Sequence, residues 1–275
     1  MKKIVIPIGL LIVLIAGLMM NFSRGSAESP TFMREVLPKQ DGFASVGNGT
    51  TGGANATEQN VFKVTNKKEF VAALKNRKNT APKIVLVYGT IDFDTDDTGK
   101  PLTMKDYMAD GYNFQQYLET HKPHSTAPKS LKDEQEEKRK ASQKNQSQSI
   151  TVHVPANTSI IGMDNAKLKG VDLVLDADNI IIRNIRFESP YDYFPAWDPK
   201  DGPEGNWNSQ YDSLSIKGGT HIWIDHCSFQ DGPETVETYF GRKYEHRDGL
   251  LDITNQADYI TISYSTFENH NKTML

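Results

Sequence analysis

Three nine-residue segments of the chain share one pattern of hydrophobic and polar positions. They are NIIIRNIRF from Asn179, HIWIDHCSF from His221 and YITISYSTF from Tyr259. Each has isoleucine at its second and fourth positions and phenylalanine at its ninth, and polar or charged residues fill many positions between them. This alternation has a period of two and is rich in β-branched residues, so it predicts a strand with one face turned inward.

The spacing of the segments predicts how the strands are arranged. Phe187, Phe229 and Phe267 close the three copies and lie 42 and 38 residues apart, within the range in which each repeat is one supersecondary unit that stacks on the next. Stacked copies would build internal ladders of isoleucine and phenylalanine. The sequence therefore predicts an all-β solenoid, a parallel β-helix. An antiparallel sandwich of short strands is the alternative that this pattern leaves open.

Other segments suit the same solenoid. VFKVTNKKEFVAALKN from Val61 predicts a strand followed by a helix, and KIVLVYGTID from Lys83 predicts a buried strand. Both suit a cap and a first rung, since an exposed apolar end must be covered. Strand character resumes at ITVHVPANTSIIGMDNAKLKG, where Asn157 and Gly162 supply turn residues.

Two segments leave the repeat. Residues 93–149 are polar, and their charged second half, KSLKDEQEEKRKASQKNQSQS, predicts a solvated helix or loop that projects from the solenoid. The second segment, YDYFPAWDPKDGPEGNW from Tyr191, carries proline and glycine residues that exclude a regular strand. Its aromatic residues either pack the segment onto the body or stack on sugar rings.

The first residues have the composition of an export signal. Lys2 and Lys3 precede a 17-residue apolar run, and small residues follow at 25–27. We therefore predict that residues 1–27 are a cleaved signal peptide, that residues 28–275 form the domain, and that the protein is secreted. An uncleaved membrane anchor is the alternative, since a membrane span needs about 20 apolar residues.

Charge and cysteine content limit the classes of function. Removal of residues 1–27 changes the formal net charge from −4 to −7, because that segment carries three basic residues and no acidic one. An acidic surface does not suit nucleic acid or an anionic membrane, so an acidic substrate would need locally placed cations. Cys227 is the only cysteine, so there is no internal disulfide. Its position matches that of Ile185, which predicts a buried hydrophobic side chain rather than a nucleophile.

Three aspartates, Asp212, Asp248 and Asp252, stand just outside recurring strands on adjacent rungs, and Lys272 follows at the end of the next rung. Calcium takes about six to eight oxygen ligands, largely carboxylates, so converging aspartates suggest a Ca²⁺ site built for an acidic sugar. A straight strand would separate Asp248 from Asp252 by roughly 13 Å, so a bend is needed, which Gly249 allows. Taken singly, each aspartate is better explained as a turn or surface carboxylate.

Several uncommon strings in this region carry a family resemblance. They are WIDHCSF, the YD pair at Tyr211, RDG with a second aspartate beyond it, and HNK at His270, together with NTSIIG, YDYFPAWDP and NWNSQYD. In this order they resemble the polysaccharide lyase family that contains the pectate and pectin lyases, and its bacterial, Bacillus-type pectate lyases in particular. The similarity extends from about Val61 to Leu275.

The resemblance implies a right-handed, single-stranded parallel β-helix that cleaves α-1,4-linked polygalacturonate by β-elimination with calcium. Asp212, Asp248 and Asp252 match the family's primary calcium ligands, and Lys272 matches a lysine that contacts the substrate carboxylate. The cation and the basic side chains withdraw charge from C5 of the uronate, which makes its hydrogen more acidic. We expect an extracellular monomer that binds polygalacturonate or pectin, and neither nucleic acid nor, after signal removal, a membrane.

The family's base is an arginine in an R-x-P-R-x-R type segment beyond the lysine, and no such segment occurs between Lys272 and Leu275. No catalytic residue is therefore assigned, and Arg242 and Arg247 are better explained as support for the aspartates or as surface charge. We expect a solenoid truncated at its C-terminal end, the N-terminal part of a longer lyase, nearly inactive alone. The alternatives are a non-catalytic calcium-dependent polysaccharide-binding solenoid, a pectin lyase, and a polygalacturonase-type hydrolase.

Overall fold

The computed structural model describes residues 31–233 and 236–275. The predicted signal peptide, residues 1–27, lies outside the described residues. Among the residues described, no helix combines the length and the apolar character needed to cross a membrane.

The helices are α1 (Lys67–Leu74), α2 (Met104–Tyr107), α3 (Phe114–Thr120) and α4 (Lys129–Ile150). The strands are β1 (Val61–Val64), β2 (Lys83–Asp92), β3 (Thr151–His153), β4 (Thr158–Lys169), β5 (Asp172–Leu175), β6 (Ile180–Arg183), β7 (Arg186–Glu188), β8 (Ala196–Asp198), β9 (Asn206–Asn208), β10 (Leu214–Lys217), β11 (Thr220–Asp225), β12 (Ser228–Gln230), β13 (Glu237–Tyr239), β14 (Arg242–Tyr244), β15 (Leu251–Thr254), β16 (Asp258–Ser263) and β17 (Thr266–Glu268).

Stacks of parallel strands form the body of the molecule. One stack contains β6, β11 and β16, a second contains β7, β12 and β17, and a third contains β3, β5, β10 and β15. Strand β4 is long enough to pair with β6 through its first half and with β7 through its second half. Because each later rung gives one strand to each stack, the chain is a parallel β-helix, which confirms the predicted fold.

The repeated segments align as their sequences predict. Ile222 lies opposite both Ile180 and Ile260, and the closing phenylalanines lie opposite one another. The ring of Phe229 stacks on that of Phe187 at a centroid distance of 4.7 Å and on that of Phe267 at 4.8 Å, with 4° between the planes in each case. Side chains at equivalent positions therefore form continuous ladders inside the solenoid.

The first rung also forms as predicted, with one difference at a glycine. Strand β1, helix α1 and strand β2 occupy the predicted segments, and Asn157 has a positive φ of 56° next to β4. Gly162, in contrast, lies inside β4 rather than in a turn. A Cβ atom at Gly162 would come within 1.9 Å of the Asn184 carbonyl oxygen, so this glycine allows the next rung to approach closely.

Cys227 has the buried position predicted for it. Its side chain belongs to the central apolar cluster, and burial raises the pKa of the thiol to about 12. A thiol with such a pKa stays protonated at neutral pH, so Cys227 has no thiolate with which to act as a nucleophile.

The charged segment forms helix α4, but it is not a solvated projection. One face of α4 is buried, including Arg139, Gln143 and Gln146. The Arg139 guanidinium donates hydrogen bonds to the Phe194 carbonyl oxygen at 2.7 Å and to both carboxylate oxygens of Glu136. The polar sequence predicted a solvated segment, but its polar side chains can be buried because they form hydrogen bonds with one another and with the neighbouring backbone.

The segment that begins at Tyr191 contains two strands, although its prolines and glycines argued against any. β8 and β9 form an antiparallel pair in which Trp197 lies opposite Trp207. Each strand has only three residues, so it fits between the turn residues. Phe194 and Trp207 are fully buried in an aromatic cluster with tyrosines of the 93–149 segment. Of the two alternatives for these aromatics, packing is therefore the one observed for Phe194 and Trp207.

Candidate functional site

Two adjacent strands of one stack position the candidate metal ligands. β10 and β15 pair in parallel, with Ser215 opposite Asp252. Asp212 precedes β10 and accepts a hydrogen bond from the Ser215 hydroxyl at 2.8 Å. Asp248 lies in the irregular segment just before β15. The structure thus places all three predicted aspartates at the start of neighbouring strands.

Gly249 lies between two of these carboxylates. Its N–H donates to Asp212 Oδ1 at 2.9 Å. A Cβ atom at this position would lie 2.4 Å from Asp252 Oδ1 and 2.9 Å from Asp212 Oδ1. The sequence suggested that Gly249 is needed for a bend, but Gly249 is not among the residues with positive φ. The glycine is needed instead because the two carboxylates approach its Cα closely. The bend arises because the chain leaves regular strand geometry from Glu245 to Gly249.

The three carboxylates interact electrostatically. Burial raises the pKa of Asp212 to about 6; the Ser215 hydrogen bond opposes this shift, and the charges of Asp252 and Asp248 add to it. Burial also raises the pKa of Asp252, and the charge of Asp248 raises it further. The charge of Asp248 therefore disfavours ionisation of both Asp212 and Asp252, and a cation at this place would relieve the repulsion.

The donor set suits a hard cation, since it consists of carboxylate oxygens. In the part of the chain that the structure describes, however, no three His, Cys, Asp or Glu side chains are grouped closely enough to hold a metal ion. The metal-ligand assignment of the three aspartates therefore stays a prediction.

Lys272 lies beside these carboxylates. Its ammonium is 2.8 Å from Glu245 Oε2 and 3.4 Å from Asp248 Oδ1. Burial alone would lower the pKa of Lys272, but Glu245 and Asp248 outweigh it, so the pKa is raised. Lys272 and Asp248 also line an open groove of about 680 Å³, together with Lys200 and Asn208. Lys272 is therefore charged and accessible to a ligand in this groove.

The last residues of the chain hold Lys272 in this position. The N–H groups of Leu251 and Ile253 donate to the carbonyl oxygens of Thr273 and Leu275. The Leu275 N–H donates to Asp252 Oδ1 at 3.2 Å. These bonds place the segment after Lys272 along β15.

Sequence reasoning missed Glu245. This residue pairs with Lys272 across the site, but it belongs to no repeat and no uncommon string, so only the three-dimensional path of the chain reveals the pair.

The two arginines that precede the aspartates have structural partners. Arg247 Nη1 donates to the Ser189 hydroxyl at 2.7 Å and to the Ser189 carbonyl oxygen. Arg242 donates to the His121 carbonyl oxygen, and its guanidinium lies 5.0 Å from the ring centroid of Trp197. These contacts attach both arginines to the body of the fold, and their proposed support of the aspartates stays a prediction.

The profile of the pectate lyase family matches residues 9–106 and 126–275. The chain belongs to this family. Pectate lyase from Bacillus subtilis (strain 168) is 44% identical over 268 residues, which cover 96% of this chain and 64% of that protein. Pectate lyase D from Dickeya chrysanthemi is 35% identical over 271 residues, 97% of this chain and 57% of that protein.

Solved structures of pectate lyases have the same fold. A mutant of Bacillus subtilis pectate lyase superposes with a TM-score of 0.83 at 46% identity, over 88% of this chain and 62% of that chain. A pectate lyase bound to a hexasaccharide superposes with a TM-score of 0.82 at 46% identity, over the same shares. The chain thus spans less than two thirds of the length of these pectate lyases.

Proposed function

We propose that this protein is a secreted, calcium-dependent pectate lyase that cleaves α-1,4-linked polygalacturonate by β-elimination. The observation that carries the proposal is that Asp212 and Asp252 lie on the paired strand starts of neighbouring rungs, with Asp248 beside the accessible ammonium of Lys272. Membership of the pectate lyase family supports the reaction. Because the substrate is a large polymer, the enzyme must act on it outside the cell. This agrees with an export signal at residues 1–27.

The residues of this chain have distinct parts in the proposed reaction. Asp212, Asp248 and Asp252 would hold the calcium ion, which supplies Lewis-acid withdrawal of charge from the substrate carboxylate. Lys272 would exchange one of its carboxylate partners, Glu245 or Asp248, for the C6 carboxylate of a galacturonate residue. That contact places a positive charge where negative charge develops as the C5 hydrogen leaves.

Glu245 has a positioning part in this scheme. Before substrate arrives, its carboxylate holds the Lys272 ammonium at the rim of the groove. A flexible lysine that is already held in place loses less conformational entropy when it binds the substrate.

The test uses unesterified polygalacturonate with this chain and with the same chain extended through its natural downstream codons. Binding is measured by isothermal titration calorimetry with calcium and with a chelator, and cleavage by the absorbance of the unsaturated product. We expect calcium-dependent binding by both proteins and elimination by the extended one. Calcium-independent turnover, or equal binding of fully methyl-esterified pectin, would contradict the proposal. New ends that are saturated would indicate hydrolysis, and calcium-dependent binding without any cleavage by the extended protein would indicate a binding module.

A further inference from the structure

The outer face of the largest sheet is apolar. Side chains along a strand alternate between its two faces. Ile180 and Ile182 therefore belong to the central apolar cluster, whereas Ile181 between them belongs to a second cluster on the outside of the solenoid. This outer cluster also contains Ile84, Leu86, Ile161 and Trp223. Such a face is stable only when something covers it, because apolar surface in contact with water is unfavourable.

The cover is the segment of residues 32–53, which we call the clasp. Leu37 and Ala44 are buried in the outer cluster, and Phe32 and Met33 pack against it. Along residues 32–53 the only regular elements are two short 3₁₀ helices, and this segment pairs with no strand. The clasp is therefore held by side-chain packing and by individual hydrogen bonds rather than by a strand ladder.

The clasp crosses the strands of the sheet in their spatial order, which is β4, β6, β11 and β16. The Gly53 N–H donates to the Ser159 hydroxyl on β4 at 2.8 Å. The N–H groups of Thr51 and Gly52 donate to Asn179 Oδ1, just before β6, at 2.7 and 2.8 Å. The end of the clasp is thus fastened to two neighbouring rungs.

The next two rungs are bonded in the same way. On β11, Nε2 of His221 lies 3.1 Å from the Val46 carbonyl oxygen, and because a carbonyl can only accept, the ring nitrogen donates. On β16, Thr261 Oγ1 accepts from the Ala44 N–H at 2.9 Å. The clasp therefore bonds to four successive rungs, one after another along its length.

A buried arginine fastens the first residues of the clasp. The Arg183 guanidinium lies 5.1 Å from the ring centroid of Phe32 on the clasp and 4.7 Å from that of Trp223 on the sheet. It also donates to Glu35 Oε2 at 2.8 Å and to Asp225 Oδ2 at 2.9 Å. The clasp thus supplies one aromatic ring and one carboxylate to a charge that the sheet alone would leave half covered.

The partners of the clasp lie far along the chain. Gly53 and Ser159 are 106 residues apart, and Ala44 and Thr261 are 217 residues apart. Contacts that close such long loops form late in folding, because the chain loses the entropy of the loop before it gains the contact. The docking surface is also complete only once β16 has paired with β11.

We propose that the outer face of this sheet is a peptide-docking surface whose occupant is residues 32–53 of the same chain, a clasp that docks after the rungs have formed and opens without unfolding them. Segments without a strand ladder open locally at a lower free energy than the core they cover. Opening exposes Ile181 and Trp223 and separates Arg183 from Glu35. Thr261, on the most distant rung, is the latch.

Native-state hydrogen exchange, followed by mass spectrometry in urea below the unfolding transition, tests whether the clasp opens by itself. We expect the amides of residues 44–53 to exchange at least about tenfold faster than those of β6 and β11. Their exchange should also depend less on urea, because opening exposes less surface than unfolding. Equal rates and equal urea dependence in these segments would overturn the proposal.

Thr261→Val tests the latch, because it removes the acceptor of the buried Ala44 N–H and keeps the shape of the side chain. We expect the clasp amides to exchange roughly tenfold faster in this variant, the effect of one lost hydrogen bond, and the β6 amides to exchange at an unchanged rate. Thr266→Val, at an exposed position on β17, is the matched control and should change neither rate. Equal effects of the two variants on the clasp would contradict the latch.

Pulsed hydrogen exchange during refolding tests the order of docking. The clasp amides should become protected after those of β6 and β11, and simultaneous or earlier protection would overturn late docking. Light scattering of the refolded protein identifies the occupant: a monomer with a protected clasp is expected, whereas a dimer with a protected clasp would show exchange between copies and overturn the same-chain occupant. Neither calcium nor polygalacturonate enters these measurements, so their outcome is independent of the proposed function.

Discussion

The backbone N–H of Gly249 donates a hydrogen bond of 2.9 Å to Asp212 Oδ1 on the preceding rung. This bond joins the segment that carries Asp248 to the strand start that carries Asp212. The missing side chain of Gly249 also leaves room for Asp252 Oδ1, 2.4 Å from where a Cβ atom would be. One glycine thus determines how closely the acidic side chains approach.

Gly249→Ala is expected to lower calcium affinity roughly 10- to 100-fold, the usual effect of disturbing groups around metal ligands. The added methyl group must push away the carboxylates of Asp212 and Asp252. Calorimetric titration with calcium measures the change, and circular dichroism shows whether the fold persists. Gly47→Ala is the control, because Gly47 has a φ of 65° but no atom near its Cβ position; it should lose stability and keep calcium affinity. Unchanged affinity in Gly249→Ala would remove this glycine from the site.

The metal-free protein should lose stability as the pH rises. The pKa of Asp212 is about 6 in the folded state, above its ordinary value of 3.8, so the folded state binds more protons than the unfolded state between these values. The stabilisation that protonated Asp212 gives to the folded state is complete below about pH 4. It is lost as the pH rises through about 6, and the free energy of unfolding decreases by at most about 3 kcal/mol. Asp212→Asn should lack this component. Urea denaturation from pH 4 to 7 in chelator compares the two proteins, and parallel curves would contradict the raised pKa.

In the presence of calcium, the stability of the unmodified protein should instead increase with pH. Since calcium competes with the proton on Asp212, the affinity of the protein for calcium should increase as the pH rises through about 6.

Lys272→Met should weaken binding of polygalacturonate in calcium roughly 10-fold or more, because a charge-assisted contact to the uronate is lost. Affinity for calcium alone should rise slightly, since a positive charge beside Asp248 is removed. Lys200→Met is a matched control on the same groove, because Lys200 is exposed. Equal losses in the two variants would mean that Lys272 provides only general charge.

Arg139→Met should lower the free energy of unfolding by about 3 kcal/mol, because Glu136 and the Phe194 carbonyl oxygen lose a buried donor. Lys140→Met is the control: Lys140 is 3.8 Å from the same Glu136 carboxylate but is 66% exposed, and such pairs contribute about 1 kcal/mol or less. Urea denaturation measures both. Similar small effects would support the solvated helix that the sequence suggested.

Phe229→Ala should destabilise the protein by about 3–5 kcal/mol, the usual range for removing a buried phenylalanine. Phe229 is the middle ring of its ladder, so it loses contacts with Phe187 and Phe267 at once. Tyr264→Ala, at an aromatic position that is 80% exposed, should change stability by about 0.5 kcal/mol or less. A comparable loss at both positions in thermal unfolding would contradict the ladder as a source of stability.

Much of the fold could be predicted because the relevant information is local. Alternation at Ile222 and Ile224 identifies the inward face of one strand, and the repeat from Phe187 to Phe267 identifies which strands stack. The burial of helix α4 was not predicted, because one partner of Arg139, the Phe194 carbonyl oxygen, lies 55 residues along the chain. The pattern of hydrophobic and polar positions within a helix does not indicate a contact with a residue so distant in the sequence.

By itself, the sequence determined the parallel β-helix, the family, and the identities of Asp212, Asp248, Asp252 and Lys272 as candidates. These conclusions follow from the period and order of residues along the chain. Only the tertiary structure decided that Glu245 faces Lys272 and that Gly249 serves close approach. Strand pattern fixes which side chains point inward, but the paths of the irregular segments between rungs decide which side chains meet.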